Sequence, residues 1–332
     1  MSNLWWGETQ DIAEWDDFVT RTHGSIFHQW AWRKVLEGGS SRPLYLACHD
    51  GNGRILAVCP FVYCSGRRLL YLDSLPDSNA AGPVISDQAS DFKEVVTSLR
   101  KSVKFTPFHP VVAMRIRTVR KDAIAPMLEL GFMYEATHGL LTIDLEGEPT
   151  EEIWCHGFQK HDRQAIKYYE QNGSGFVISS GDVDYRNYLA LRRGSTIHDE
   201  DLGAFVSRLR HNLGDDLKVA SVALGNEVVA GVLILCDRPS STMHLSIMRF
   251  SPTRNIHSAV TYLNWEVANW ACKNGFRYVD LGSYSVRETH DSGHYFYKLR
   301  MRFKAEFVLR YQFVLPTSRI SYPIAKSVSR LL

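Results

Sequence analysis

The clearest alternation of apolar and polar positions lies in the second half of the chain. Ala259, Leu263, Val267, Trp270 and Ala271 recur at steps of three and four, the spacing of one helix face. Asn274-Gly275 stops that helix, because glycine takes the left-handed position after a helix C-terminus without strain. Phe276–Leu281 is short, apolar, β-branched and aromatic, which predicts a buried strand ended by Gly282. Ahead of the helix, Val219–Leu224 and Val228–Cys236 read as strands turned at Gly225-Asn226, with a further strand up to Arg249. The predicted order over Leu217–Leu281 is strand, strand, strand, helix, strand.

The first half repeats that order. Leu44–Cys48 and Ile55–Tyr63 read as strands joined by the turn Asp50-Gly51-Asn52-Gly53, and Leu69–Leu72 is a third apolar run. Asp91–Lys104 predicts a helix with Phe92, Val95, Val96 and Leu99 apolar, and Val111–Val119 predicts a strand. A helix over Ala123–Leu130 and a strand over Leu140–Leu145 follow, and Gly131-Phe132 stands where Gly275-Phe276 stands later. Before this repeat, HQWAWRKVLEG predicts a helix with Trp32, Val35 and Leu36 on one side. Between the halves lie a helical stretch over Glu151–Gly173, a strand over Phe176–Ser179 and one or two helices over Tyr185–Gly214.

Strand, strand, strand, helix, strand is the core order of the GNAT acyltransferase fold. Its appearance over Leu44–Val119 and again over Leu217–Leu281 predicts an α/β (α+β) chain of two tandem GNAT-like domains, each a mixed central sheet flanked by helices. The expected domains are 1–150 and 151–315, with a C-terminal tail at 316–332. One feature departs from an ordinary acyl-CoA enzyme. There the helix is entered through a glycine-rich loop whose bare N–H groups cradle a pyrophosphate. Here the entry is Arg254-Asn255-Ile256-His257-Ser258-Ala259, without glycine, so side chains crowd the approach.

Composition narrows the class. The 332 residues are 45% hydrophobic and 22% charged, ordinary for a soluble globular chain of two domains. A net charge of +2 carries no overall bias toward polyanions, so any basic site is local. The six cysteines form no CxxC pair and read as small buried hydrophobes in a reducing compartment. No signal peptide and no apolar run of the ~18–20 residues needed to span a membrane is visible, which predicts a cytoplasmic protein. The tail 320–332 would at most touch the inner membrane face peripherally, and packing on the body is the safer reading. His290-Asp291-x-x-His294 lacks a third ligand at supporting spacing, so no metal is expected. G-x-S-x-G, P-loop and Rossmann patterns are absent.

Four stretches together resemble the Fem-type (FemAB-like) aminoacyltransferases, a tandem-GNAT family. They are GSIFHQWAWRKVLE at 24–37, FQKHDRQAIKYYEQNGSGFVI at 158–178, the second-repeat core from VVAGVLIL to WACKNGFRYVDLGS, and YKLRMRFKAEFVLRY at 297–311. They span nearly the whole chain in the family's order. Two departures stand in the closing motif: Arg302 replaces the usual glycine, and Tyr297 precedes Lys298 where phenylalanine is usual. No heptad run marks the coiled-coil arm of some members. The resemblance implies amide-bond formation, with an aminoacyl-tRNA donating to an amine of a peptidoglycan, cell-wall or surface-glycan precursor. It puts the acceptor on the 1–150 side and the donor on the 151–315 side. The implied partners are aminoacyl-tRNA and a nucleotide-sugar or lipid-linked glycan precursor, with no cofactor beyond the donor substrate. Two other readings compete. One is an acyl-CoA-dependent N-acyltransferase acting on an amino sugar or peptide, and the other is a GNAT-derived binding module that has lost its chemistry.

Aminoacyl transfer needs a deprotonated amine, an ester carbonyl in reach and a positive group at the developing oxyanion. Lys298 matches the family's closing lysine, and the resemblance makes it the oxyanion-stabilising catalytic group. Lys298, Arg300, Arg302 and Lys304 alternate with Leu299, Met301 and Phe303, so a strand here carries one basic face, suited to phosphate, to an RNA backbone or simply to solvent. Lys160, Arg163 and Lys167 form a second basic cluster for a diphosphate or RNA backbone, Arg163 and Lys167 four apart on one helix face, with a solvated face as the bland reading. Arg193 lies in a stretch similar to the family's Thr-x-x-Arg-x-Gly, which implies an acceptor-phosphate contact. His244 sits on a core strand, either facing the cleft or held as a satisfied core histidine. Asp280, on the buried strand, reads as a structural hydrogen-bonder, and no general base stands out.

Overall fold

The computed structural model describes residues 4–37, 42–66, 69–75, 82–87, 91–102, 111–145, 160–193, 199–251, 256–285 and 305–316. In chain order the elements begin with β1 (Trp5–Glu8), α1 (Ile12–Arg21), α2 (Trp30–Glu37), β2 (Arg42–His49), β3 (Ile55–Gly66), β4 (Leu69–Asp73) and β5 (Val84–Ile85). Then come α3 (Phe92–Ser102), β6 (Val111–Thr118), α4 (Ile124–Glu129), β7 (Met133–Asp144), α5 (Lys160–Gln171), β8 (Ser174–Ser179), α6 (Asp182–Ala190) and β9 (Arg192–Arg193). The chain continues through α7 (Asp199–Leu213), β10 (Leu217–Leu224), β11 (Glu227–Asp237), β12 (Thr242–Phe250), α8 (Ile256–Lys273), β13 (Tyr278–Ser285) and β14 (Ala305–Pro316). Two compact units emerge, Met1–His138 with Leu309–Leu332, and Gly139–Val308.

In the first unit the sheet order is β1-β2-β3-β4-β6-β14, with β5 also on β3. β4 and β6 are parallel, and the other pairs are antiparallel. One core joins Leu46, Cys59, Phe61 and Ile116 with Val95 and Leu99 of α3 and Met127 of α4. Another sets Trp15 and Phe18 of α1 and Trp30 of α2 against Tyr45 and Val58, residues of the opposite parity on β2 and β3. The sheet is therefore apolar on both faces.

In the second unit the order is β8-β10-β11-β12-β13, again with a single parallel pair, β12 with β13. Ile234, Cys236, Met243, Leu245 and Val279 face Ala259, Leu263 and Val267 of α8, and Ile166 and Tyr169 of α5 join that core. Strand alternation turns Gly231, Leu235, His244 and Asp280 to the other face, where Tyr188 and Leu191 approach Gly231.

The repeated order predicted from sequence is present as β2-β3-β4-α3-β6 and β10-β11-β12-α8-β13. Its shared punctuation is real geometry. Gly131 and Gly275 have φ of 84° and 79°, and the amides of Phe132 and Phe276 reach back to Met127 and Ala271 at 3.1 and 3.0 Å. This is the six-to-one bond of a Schellman helix stop. Two boundaries differ from expectation. Gly282, at φ 94°, bends β13 instead of ending it, its amide held by Asp280 Oδ1 at 2.8 Å, and the strand runs to Ser285. β7 begins at Met133 rather than Leu140, because its first half is exposed or half-buried and carries no apolar periodicity.

Candidate active site

β12 and β13 pair only where Thr242–His244 meets Tyr278–Asp280. Beyond His244 the two strands part. On that side of β12, the next strand partner among the described residues is β9, at Arg249 and Phe250. The five steps between His244 and Arg249 span about 16 Å at ~3.3 Å per residue. Ser246 is exposed in this interval, and Ile247 and Met248 are half-buried. The result is a fork in the sheet, with α8 beginning just after β12 ends.

The root of the fork is ionic. His244 Nδ1 donates to Asp280 Oδ2 at 2.9 Å and Nε2 to Asp237 Oδ2 at 3.2 Å. All three side chains are buried. A carboxylate only accepts, so both ring nitrogens carry protons and the ring is an imidazolium. Burial disfavours that charge, but the hydrogen bonds and charges of the two carboxylates outweigh it and hold the group at about 9. Asp237 ends β11, His244 lies on β12 and Asp280 on β13, so one side chain ties three strands where two of them begin to separate. A proton-donating ring with both nitrogens engaged is an anchor and leaves no free lone pair for a base.

The wall beside the fork is built by α6. The Tyr188 hydroxyl donates to Ile247 O at 2.9 Å, and Arg249 Nε donates to Leu191 O at 2.7 Å. Arg249 also reaches Leu189 O, placing its charge on the last carbonyls of α6, where the helix dipole favours a cation. Gly231 permits this approach. A Cβ there would lie 3.2 Å from the Tyr188 ring and 3.3 Å from Leu191.

The equivalent place in the first unit is closed. β4 and β6 stay paired through Asp73 and Arg115, and Ser74 N continues with a bond to Arg115 O at 3.0 Å. Arg117 holds Asp73 with both terminal nitrogens and gives Nε to Gln312 at 3.0 Å. Gln312 donates to Glu135 at 2.8 Å, and Glu135 accepts from Arg115 Nε at 3.0 Å. Two guanidiniums and two carboxylates thus satisfy one another, and they bind β14 and the start of β7 to this unit. Gly82 packs on the same strand so tightly that a Cβ would sit 1.8 Å from Arg117 O.

The sequence-predicted residues separate accordingly. His244 is at the root of the fork, and Arg193, through its backbone pairing with Arg249, is at the far end of it. Arg163 and Lys167 lie on α5, which packs with α8 on the face of the sheet opposite His244. Lys298, Arg300, Arg302 and Lys304 lie outside the described residues, as do His290, Asp291 and His294. Among the described residues no group of side chains is arranged to hold a metal ion. Cys48, Cys59 and Cys236 are buried, and burial pushes Cys236 up to about 11, which removes it as a thiolate nucleophile. Asp237, Tyr188 and Arg249 are not marked out by the sequence pattern. An aspartate closing an otherwise apolar strand, with an apolar-flanked histidine seven residues on, is the signal that could have found the first.

Residues 157–299 match the family model described as Acetyltransferase (GNAT) domain. No curated protein sequence matches the chain. Among solved structures, FemX is similar over 98% of this chain and 99% of its own, at TM-score 0.70 and 12% identity. L-PGS from Bacillus licheniformis is similar over 98% and 97%, at TM-score 0.56 and 15% identity. A tandem GNAT protein from the clavulanic acid biosynthesis pathway is similar over 95% and 99%, at TM-score 0.59 and 9% identity. These likenesses give the chain the tandem GNAT fold, shared with FemX over nearly its whole length, and the family match over 157–299 supports an acyltransferase. No helix among the described residues is long and apolar enough to cross a membrane.

Proposed function

We propose that this chain is an amide-forming acyltransferase whose donor lies in the fork of the second unit, and that the donor is an aminoacyl-tRNA. The observation that carries the reading is the fork itself. It leaves about 16 Å of β12 edge without a β13 partner, where an extended acyl or aminoacyl chain can take up strand hydrogen bonds. The choice of donor rests on the glycine-free approach to α8, Arg254 to Ala259, and on the basic alternation Lys298, Arg300, Arg302 and Lys304. Four cations at alternate positions, which a strand would turn to one face, suit an RNA backbone better than a single pyrophosphate. Lys298 supplies the positive charge to the oxyanion of the tetrahedral intermediate. The acceptor is an amine on a cell-wall or surface-glycan precursor, with Arg193 at the fork mouth contacting its phosphate. A second reading, an acyl-CoA donor, is favoured by the acetyltransferase family match over 157–299.

Donor binding separates the two. Charged tRNA, uncharged tRNA and acetyl-CoA are compared on the purified protein at two salt concentrations. Binding of charged tRNA that weakens steeply with salt, and none of acetyl-CoA, is the expected result. Tight acetyl-CoA binding would sink the tRNA reading and leave an acyl-CoA transferase with an unusual loop. Lys298→Ala then tests for chemistry: turnover collapses while donor binding survives, whereas a non-catalytic binding module has no turnover to lose.

A further inference from the structure

The α1–α2 face of the first unit contains three polar groups that nothing described satisfies: Trp30 Nε1, Arg33 Nη1 and the Tyr45 hydroxyl. Their residues are 5%, 8% and 0% exposed. They belong to groups in mutual contact. The Trp30 and Tyr45 rings are 5.6 Å apart, and the Arg33 guanidinium carbon stands 4.6 Å from the Trp30 ring and 5.5 Å from the Tyr45 ring. Trp15 closes the box, 4.9 Å from Tyr45 and 6.1 Å from Trp30. Its own indole N–H is already given to His28 O at 2.6 Å. A buried donor or acceptor left unmet destabilises the fold, because it has lost its bonds to water and gained none. Folded proteins pair such groups with one another, and where no protein partner is in reach an ordered water commonly serves.

Charge selects that molecule. Arg33 gives Nε to Glu37 at 2.8 Å and Nη2 to Glu8 at 3.2 Å, so its cation is already met twice. The Asp16 carboxylate, pushed up by burial, accepts the Trp30 amide at 2.8 Å. An anion would enter against three carboxylates for one guanidinium. A cation would meet two N–H donors, one of them on a guanidinium. A neutral molecule with one accepting oxygen and a hydrogen to give fits both demands. Water accepts from Trp30 and Arg33 and donates to the Tyr45 oxygen, the usual three bonds of a buried water.

We propose that the Trp15–Trp30–Arg33–Tyr45 box of the first unit is a hydration site holding one water molecule, bound to Trp30 Nε1, Arg33 Nη1 and the Tyr45 hydroxyl. The water is part of the contact that docks α1 and α2 on β2 and β3. The site stands independently of the donor assignment.

The sign of one substitution tests it. Tyr45→Phe in the full chain keeps the ring packing and removes only the hydroxyl. If water is bound, the substitution deletes a hydrogen bond and the urea midpoint falls. If the box is dry, it removes an unmet polar group, and a midpoint that rises or stays put overturns the proposal. A thermal midpoint followed against added phosphate at fixed ionic strength is expected to be flat. A saturable rise that disappears in Arg33→Lys would identify an anion instead and equally overturn it. A crystal structure that resolves waters should place one within hydrogen-bond distance of all three atoms, and an empty box would end the idea.

Discussion

The parallel strand pairs of the two units share their topology and differ in what fills them. In the first unit, β4 and β6 remain joined through Asp73 and Arg115, and two guanidiniums, two carboxylates and Gln312 close a neutral network over the junction. In the second, pairing stops at His244 and Asp280, and the charge there is one imidazolium between two carboxylates. The first arrangement satisfies itself and uses up the strand edge. The second holds the root and releases the edge. One fold, used twice, yields a braced unit and an open one.

The largest expected effect comes from breaking the closed network. Arg117→Leu leaves Asp73, 2% exposed, with Arg115 at 3.7 Å as its one cationic neighbour among the described residues. Removing one partner of a buried pair costs about 3–5 kcal/mol, because the other charge stays behind unmet. Denaturant unfolding should register that loss, while donor binding, which the proposed function puts in the second unit, should persist wherever the protein remains folded. A loss under about 1 kcal/mol would mean that the network is incidental to the closure of the first unit.

The open unit should instead be sensitive to pH. His244 is held near 9 in the fold against an ordinary 6.5, so protons favour the folded state. Its stabilisation is complete below 6.5 and is lost as pH rises through about 9. Each tenfold gain in proton affinity on folding is worth about 1.4 kcal/mol, which puts the effect on the order of 3–4 kcal/mol. Thermal melting of the wild type should fall over that window. His244→Gln, which cannot titrate, should be less stable at low pH and flatter across it. A parallel decline in both proteins would assign the pH dependence to other groups.

Most of this fold was legible, because the repeated order rests on long apolar periods and on two Gly-Phe helix stops that mean the same geometry. Shorter or polar elements were not. β1 has four residues, too few for a period, and α1 is missed although Asp11 accepts from the Glu14 amide at 3.0 Å, a cap readable as Asp-x-x-Glu. The first half of β7 was hidden because its side chains serve polar partners, Glu135 above all. The site was legible only in part for a related reason. His244 and Asp280 lie 36 residues apart, and what brings them together is strand register, which no local pattern encodes. Gly231 carried no turn signal either, since its role is to admit a helix.

That glycine gives the smallest and most discriminating prediction. Gly231→Ala places a methyl 3.2 Å from the Tyr188 ring and 3.3 Å from both Leu191 and the Ala220 carbonyl. The side chains can yield by a few tenths of an ångström and the carbonyl cannot, so the cost is about 1 kcal/mol, the low end of overpacking. In yielding, α6 draws away from the Tyr188 bond to Ile247 and the Arg249 bond to Leu191, and the wall of the fork moves with it. Gly24→Ala is the matched control in the first unit, where a Cβ meets the Val19 side chain at 2.9 Å and its carbonyl at 3.2 Å. Both variants should lose a similar amount of stability in urea. Only Gly231→Ala should weaken donor binding. Equal weakening by the two would show that affinity follows global stability, and the contrast between a braced unit and a working one would then have no functional content.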